Sequence, residues 1–292
     1  MENYRQICSY NFDPIEKKPL YHYYPGQTIF SIGSIGCNFH CSFCQNYEIS
    51  QSNIDDHPYL RSNSPEDIVK LAKSRPSNIG IAFTYNEPTV WYEYMMDIAI
   101  LAKQKNLKTV MVTNGFINPE PLKILLPYID AFSVDLKAFT ETFYKQHTAS
   151  RLAPVLATIK MLQQHHKHFE ITNLIITDTN DDEQKFTEMV NWIANETGED
   201  TVLHISRYFP MYKMTKEATS IEKLQQLYAI AKQKLNYVYL GNVRSGEGQD
   251  TFCNNCNFKV IERTGYYTEI IGLDATGFCL SCKQPVISNY CL

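Results

Sequence analysis

From residue 28 to about residue 240 the chain alternates short apolar runs with amphipathic stretches, and this alternation limits the fold more than any other feature. Runs at 28–32, 79–83, 109–112, 131–135, 170–176 and 201–205, with a seventh at 237–240, are rich in β-branched and aromatic residues and bounded by turn-formers. The intervening stretches carry helix-start signals. Ser64-Pro65-Glu66-Asp67 offers an N-cap serine, proline at the first helical position and acids in the first turn. Asp181 and Asp182 open another helix that runs to about Asn195. Strands that alternate with helices run parallel, joined by right-handed crossovers. The expected fold class is therefore α/β, either an open doubly wound sheet or an incomplete (β/α) barrel. In both, chemistry collects at the C-terminal ends of the strands.

The segments that follow the strands bear this out as a pattern. After the first run comes Gly36-Cys37-Asn38-Phe39-His40-Cys41-Ser42-Phe43-Cys44, a C-x3-C-x2-C spacing with no further cysteine until Cys253. Thr84-Tyr85-Asn86-Glu87-Pro88 follows the second run, Thr113-Asn114-Gly115 the third, and Asp135-Leu136-Lys137 closes the fourth. Three clustered thiolates can hold three corners of an iron–sulfur cube and leave the fourth iron open to another ligand. The competing reading is a zinc knuckle completed by His40 or His57. His40 directly adjoins Cys41, and neighbours on a short loop rarely point at one tetrahedral ion. His57 reaches only if its loop folds back.

The spacing of Cys37, Cys41 and Cys44, with Phe43 before the last cysteine, resembles the signature of radical S-adenosylmethionine (SAM) enzymes. The resemblance implies an incomplete (β/α)6-type barrel and a [4Fe-4S] cluster on the three cysteines. Its open iron would be chelated by SAM, whose reductive cleavage yields a 5′-deoxyadenosyl radical that abstracts hydrogen from a substrate. It places Phe43 near the adenine. Asn86-Glu87-Pro88 is similar to the Gly-Gly-Glu-Pro motif that receives the methionine amino group, with Tyr85-Asn86 in place of the glycines. A carboxylate such as Glu87 suits an ammonium partner, since charge-assisted hydrogen bonds are the stronger kind.

Thr113-Asn114-Gly115 and Asp135-Leu136-Lys137 resemble segments of the activating enzymes of glycyl-radical enzymes, such as the pyruvate formate-lyase activator. The resemblance makes Thr113, Asn114, Asp135 and Lys137 contacts to the cofactor. Val112 stands where those activators have an Asp that helps to hold a monovalent cation. From about residue 18 to residue 287 the chain also resembles the radical SAM protein of the AmmeMemoRadiSam system, in its 34–39, 83–88 and 203–210 runs and in its distal cysteines. The likeness itself supplies no substrate; a glycyl-radical-type or Memo/AMMECR-type protein, or a smaller molecule, is expected in that role, with flavodoxin or ferredoxin as reductant. His204 and Arg207, in the 203–210 run, are placed at the cleft or, for His204, in the core as a satisfied imidazole.

Near residue 250 helical periodicity stops. Cys253-x2-Cys256-x22-Cys279-x2-Cys282 supplies two C-x2-C knuckles, a closed four-ligand set with a structural role. Zinc, a rubredoxin-like iron, or a second cluster all use such ligands. The expected division is an N-terminal segment at 1–26, a barrel at 27–247 and a zinc-ribbon or rubredoxin-like module at 248–292, with the boundary in a loop at 244–250.

A net charge of −4 with mixed signs gives no basic footprint for nucleic acid. No apolar run reaches the ~20 residues of a membrane span, and the polar N-terminus lacks a signal-peptide core. A cytoplasmic location is expected. The nine cysteines form one triplet, two pairs and the singles Cys8 and Cys291, a clustering that points to metal ligation in a reducing compartment. The run His165-His166-Lys167-His168 is expected to be a solvated helix end. The alternative to a radical enzyme is a non-catalytic zinc protein that binds a partner.

Overall fold

A computed structural model describes residues 2–58, 60–243 and 247–289. Cys291 and the 244–246 part of the expected boundary lie outside them. The main sheet has eight strands: β1 (Ser9–Pro14), β2 (Thr28–Gly33), β3 (Asn78–Phe83), β4 (Lys108–Thr113), β5 (Ala131–Asp135), β6 (His168–Ile175), β7 (Val202–Arg207) and β8 (Val238–Gly241). Their order across the sheet is the chain order, and every pair is parallel except β1 against β2. A doubly wound sheet would reverse its order at a switch point. This one does not, so the architecture is the incomplete barrel, with seven parallel strands and an antiparallel edge strand. That edge strand falls in the expected N-terminal segment and pairs along its whole length, from Ser9↔Gly33 to Pro14↔Thr28.

The longer helices are α1 (Pro65–Lys73), α2 (Tyr92–Gln104), α3 (Pro119–Leu125), α4 (Leu152–Gln164), α5 (Glu183–Thr197) and α6 (Ile221–Lys232). The Ser64 hydroxyl accepts the Asp67 N–H at 3.2 Å while Asp67 accepts the Ser64 N–H at 2.9 Å, a closed capping box. Asp182 caps α5 by accepting the Lys185 N–H at 2.8 Å. Phe30, Ile32, Ile81, Phe83, Met111, Phe132 and Val134 share one apolar cluster with the helices. Alternate residues of the same strands, Ile29, Ala82, Val110 and Ala131, face the other way and pack on Ile15, Leu20 and Tyr23. The chain between β1 and β2 thus fills the inner face of the sheet at the strand-start end.

The distal cysteines flank a three-stranded antiparallel sheet, β9 (Thr251–Phe252), β10 (Lys259–Thr264) and β11 (Tyr267–Ile270), with Cys253 and Cys256 in the β9–β10 connection and Cys279 and Cys282 beyond β11. Their core contains Cys253, Cys279, Val260 and Ile261 together with Tyr21, Val202, Tyr237 and Tyr239. Val202 opens β7 and Tyr237 precedes β8, so this module covers the floor, opposite the loops that follow the strands. No helix among the described residues is long and apolar enough to cross a membrane.

Candidate functional site

The cysteine loop leaves β2 through Gly36, whose φ of +94° is a conformation that an L side chain rarely adopts. Its path is set by backbone bonds to distant elements. The His40 N–H donates to Thr148 O at 2.9 Å, the Ser42 N–H to His147 O at 2.9 Å, and the Lys213 N–H to Ser42 O at 3.0 Å. Tyr47 stacks on Tyr212 with ring centroids 4.7 Å apart. The loop is therefore laid across the strand-end face by contacts that lie outside its cysteines.

Cys41 is buried, and Cys37 and Cys44 are half-buried. Burial first, and then Glu87, pushes the Cys37 thiol up to about 12. Burial likewise pushes Cys41 up to about 12, with Lys137 opposing. Thiols so placed become thiolates only with a cationic partner, which a metal centre supplies. Three soft sulfurs on one loop fit an iron–sulfur cluster better than a hard cation. Of the histidines for a zinc knuckle, His40 is exposed and the His57 ring meets Ser52 Oγ at 2.8 Å.

One wall beside the cysteines comes from the loops after β3 and β4. Glu87 is 2% exposed and accepts from three donors. Its Oε1 accepts the Thr89 N–H at 3.0 Å and the Thr113 hydroxyl at 2.9 Å, and its Oε2 accepts the Asn114 N–H at 2.8 Å. Burial raises its carboxyl above the usual range, against these donors. Beside the role expected of it toward an ammonium, Glu87 thus clamps two loops together. Glu87→Gln is expected to destabilise the fold by about 1–3 kcal/mol, since either amide orientation sets an NH2 against a backbone N–H. Denaturant unfolding checks this, and a variant as stable as the parent would contradict the clamp.

Tyr85, where the related motif has glycine, sits at φ +71°, the left-handed region that glycine favours. Its hydroxyl donates to Asp13 Oδ2 at 2.8 Å, and Lys18 lies 4.7 Å over its ring while pairing with the same oxygen at 2.7 Å. This buried packing holds the strained residue in place.

The next strand of the sheet, β5, brings a charged pair to the same strand-end face. Asp135 Oδ2 and Lys137 Nζ pair at 2.7 Å, both partly exposed. Burial works against the Lys137 charge, but Asp135 and the Cys41 sulfur outweigh it and hold the ammonium above the usual lysine range. So the Asn114 amide lies 3.8 Å from Cys37 Sγ, while the charges of Lys137 and Asp135 are felt at Cys41. Phe43 is buried, with its ring 5.8 Å from that of Phe143.

Three asparagines beside the motifs were not foreseen. Asn86 accepts the Ser34 N–H at 3.2 Å and donates to Gly36 O at 2.7 Å, while Asn46 donates to Tyr85 O at 2.6 Å. Asn38 donates to Phe116 O at 2.9 Å. All three tie the cysteine loop to its neighbours, and their adjacency to the cysteines and to Glu87 was the available signal.

His204 and Arg207 lie within β7. His204 is buried at the floor, its Nε2 2.7 Å from Glu170 Oε2, and Arg207 donates from Nε to Thr219 O at 2.7 Å. The histidine run needs correction at one position. His165 and His166 are exposed, but His168 opens β6 and its Nε2 lies 3.1 Å from Glu170 Oε1.

At the floor, the sulfurs of Cys253, Cys256, Cys279 and Cys282 all lie within 4.8 Å of one another. Cys253 and Cys282 are 3.5 Å apart, and Cys256 and Cys279 are 3.7 Å apart. A tetrahedron with metal–sulfur bonds of about 2.3 Å has edges of roughly 3.8 Å, so these residues fit a single ion.

A sequence profile described as the radical SAM superfamily matches residues 31–193. An uncharacterized protein of Methanocaldococcus jannaschii is 42% identical over 286 residues, covering 97% of this chain and 84% of its own. In fold, the chain is similar to a radical SAM methyltransferase from Sphaerobacter thermophilus, with a TM-score of 0.59 and 15% identity over 78% of this chain and 71% of that one. A domain of the pyruvate-formate lyase-activating enzyme from Bacteroides vulgatus ATCC 8482 gives a TM-score of 0.50 at 20% identity, covering 56% of this chain and 99% of that one. Since the matched stretch begins in the strand before the cysteine loop and takes in every strand end described above up to α5, the chain belongs to the radical SAM superfamily, whose chemistry uses a [4Fe-4S] cluster and S-adenosylmethionine.

Proposed function

We propose that this protein cleaves SAM reductively at a cluster held by Cys37, Cys41 and Cys44, and abstracts hydrogen from a partner protein in the manner of the glycyl-radical activating enzymes. The observation that carries the reading is the setting of the cysteine loop on the strand-end face, with the Asn114 amide 3.8 Å from Cys37 Sγ and the Asp135–Lys137 pair at the end of β5. When bound, the cluster supplies the electron that breaks the sulfur–carbon bond of SAM. The chain supplies position. Asp135 and Lys137 present a carboxylate and an ammonium at a strand end, able to orient a zwitterionic or ribose-bearing ligand. Glu87, by holding Thr113 and Asn114, fixes the wall against which the ligand lies. Phe43 backs the loop at its last cysteine, on the side assigned to the adenine.

The partner is a protein of glycyl-radical or Memo/AMMECR type, the reductant a flavodoxin or ferredoxin, and the compartment the cytoplasm. The AmmeMemoRadiSam likeness supports this reading through the 203–210 run and the distal cysteines. The test is anaerobic. Purified protein should be brown, with about four irons at the triplet. It should release 5′-deoxyadenosine on reduction with SAM, faster when the true partner is present. Colourless protein with zinc alone would sink the enzyme reading.

The distal cysteines hold a structural zinc in a module that starts near residue 248. Their position on the floor supports this, because strands of six residues, roughly 20 Å at about 3.3 Å each, separate the floor from the cysteine loop. A relay of electrons over such a gap gains nothing from the site. Cys279→Ser is expected to cost several kcal/mol, part of the ~10–16 kcal/mol that structural zinc binding supplies. Metal analysis and thermal unfolding would check it, and a fully stable, zinc-free variant would refute it.

A further inference from the structure

We propose that Asn114 tunes the reduction potential of the cluster, by aiming a side-chain N–H at Cys37 Sγ. The proposal rests on the reading above that Cys37 is a cluster ligand. Asn114 Nδ2 lies 3.8 Å from Cys37 Sγ and 2.7 Å from Asn38 Oδ1, so each of its two hydrogens has an acceptor.

An amide can be turned end for end, and here the network fixes which end faces the sulfur. The Phe116 N–H donates to Asn114 Oδ1 at 2.9 Å, which makes that atom the oxygen. Asn38 donates from Nδ2 to Phe116 O at 2.9 Å and to Thr89 Oγ1 at 3.2 Å, so its remaining oxygen must face Asn114. Both asparagines are thereby locked, and a donor points at Cys37. The lock is anchored below by Glu87, which accepts the Asn114 backbone N–H at 2.8 Å.

Asn114 is 6% exposed, so its amide is shielded from water on its own side of the contact. The Phe39 N–H adds a second donor to the same sulfur at 3.4 Å. Among the described residues neither Cys41 nor Cys44 has a side-chain donor on its sulfur. Reduction adds negative charge to the iron and its thiolates, and a donor on the sulfur stabilises the reduced form more than the oxidised one. Asn114 therefore raises the potential.

Two variants test this. Asn114→Leu keeps the approximate volume and removes the donor. Asn114→Asp keeps the acceptor for Phe116 N–H and sets an oxygen where the donor was. Each is loaded anaerobically, checked for iron content equal to the parent, and titrated potentiometrically by electron paramagnetic resonance without SAM. Both midpoints are expected to fall, Asp further than Leu, with the reduction equilibrium shifted several-fold to about tenfold, or up to about 59 mV for one electron.

An unchanged midpoint in loaded variants would overturn the proposal; weaker SAM binding alone would then assign the amide to the cofactor. If neither variant loads, the parent decides. Protein labelled with nitrogen-15 asparagine should show a side-chain nitrogen coupled to the reduced cluster, and the lack of that coupling would overturn the proposal. A parent that takes up no iron at the triplet would instead overturn the functional reading itself.

Discussion

Cys41→Ala is expected to leave the strand-end loop without iron and to reduce 5′-deoxyadenosine formation to background, a loss above the roughly 10–100-fold that outer metal partners cost when replaced. Cys41 is the buried member of the triplet, and its thiol is pushed up to about 12 by that burial. Two remaining sulfurs cannot hold three corners of a cube. The loop should nevertheless keep its course, because its anchors are the backbone bonds to Thr148, His147 and Lys213 rather than the sulfur. The variant should therefore unfold close to the parent and retain the floor metal. Iron analysis, deoxyadenosine chromatography and thermal unfolding together separate a lost site from a lost fold. Product formed at the parental rate by Cys41→Ala would show that the assigned cysteines are not the reactive ones.

The seven parallel strands were legible because strands covered on both faces read as continuous apolar runs, as 79–83 and 131–135 do. β1 was not, although Tyr10 and Phe12 alternate with Asn11 and Asp13 at period two, with both aromatic rings against Phe30. As an antiparallel edge it carries polar residues, and its partner lies beyond the buried turn at 15–27. The cysteine triplet was legible because its geometry is local, contained in the eight residues from Cys37 to Cys44. The Glu87 clamp was not, because Thr113 and Asn114 lie 26 and 27 residues away, and only the parallel pairing of β3 and β4 brings them together. A carboxylate next to a strand end reads the same whether it awaits a ligand or is already engaged.

The two cysteine sets divide the molecule by chemistry as well as by position. The strand-end set is open to further ligands and lined by charged groups. The floor set is closed, and packs on Tyr21, Tyr237 and Tyr239. Between them the inner face of the sheet carries polar residues in register, Asp135↔Thr172↔His204↔Tyr239, where an ordinary sheet would carry apolar ones. The lower part of this row is joined to the metal module through Glu170, so the stability of the floor is a property of three chain regions together.

Glu170→Leu is accordingly expected to cost about 3–5 kcal/mol, the range for removing one partner of a buried charged network. Glu170 is 0% exposed and holds four donors. Oε2 accepts the Tyr21 N–H at 2.8 Å and meets His204 Nε2 at 2.7 Å, while Oε1 accepts the His22 N–H at 2.7 Å and meets His168 Nε2 at 3.1 Å. From there the bonds run through His22 Nε2 and Tyr239 OH, 2.7 Å apart, to Thr251 Oγ1 at 2.7 Å and on to Arg263 at 2.7 Å. Leucine fills the space and strands all four donors, so denaturant unfolding should fall by a large part of a marginal total.

Acid gives the second readout. Burial acts to raise the Glu170 carboxyl, but the bonds from His168 and His204 outweigh it and hold it below the usual range. Its contribution is therefore complete above the unfolded value of about 4.3 and is lost as pH falls toward the folded value. His22 acts earlier. Burial holds its imidazole down to about 3, whereas an unfolded histidine protonates near 6.5. The unfolded chain binds that proton first, so stability should decline from about pH 6.5 downward, by up to about 1.4 kcal/mol per unit. His22→Gln should flatten the limb between about pH 6.5 and 4.3, whereas Glu170→Leu should flatten the limb below it. A parent whose stability is level from pH 7 to 4 would show that the floor does not hold His22 neutral.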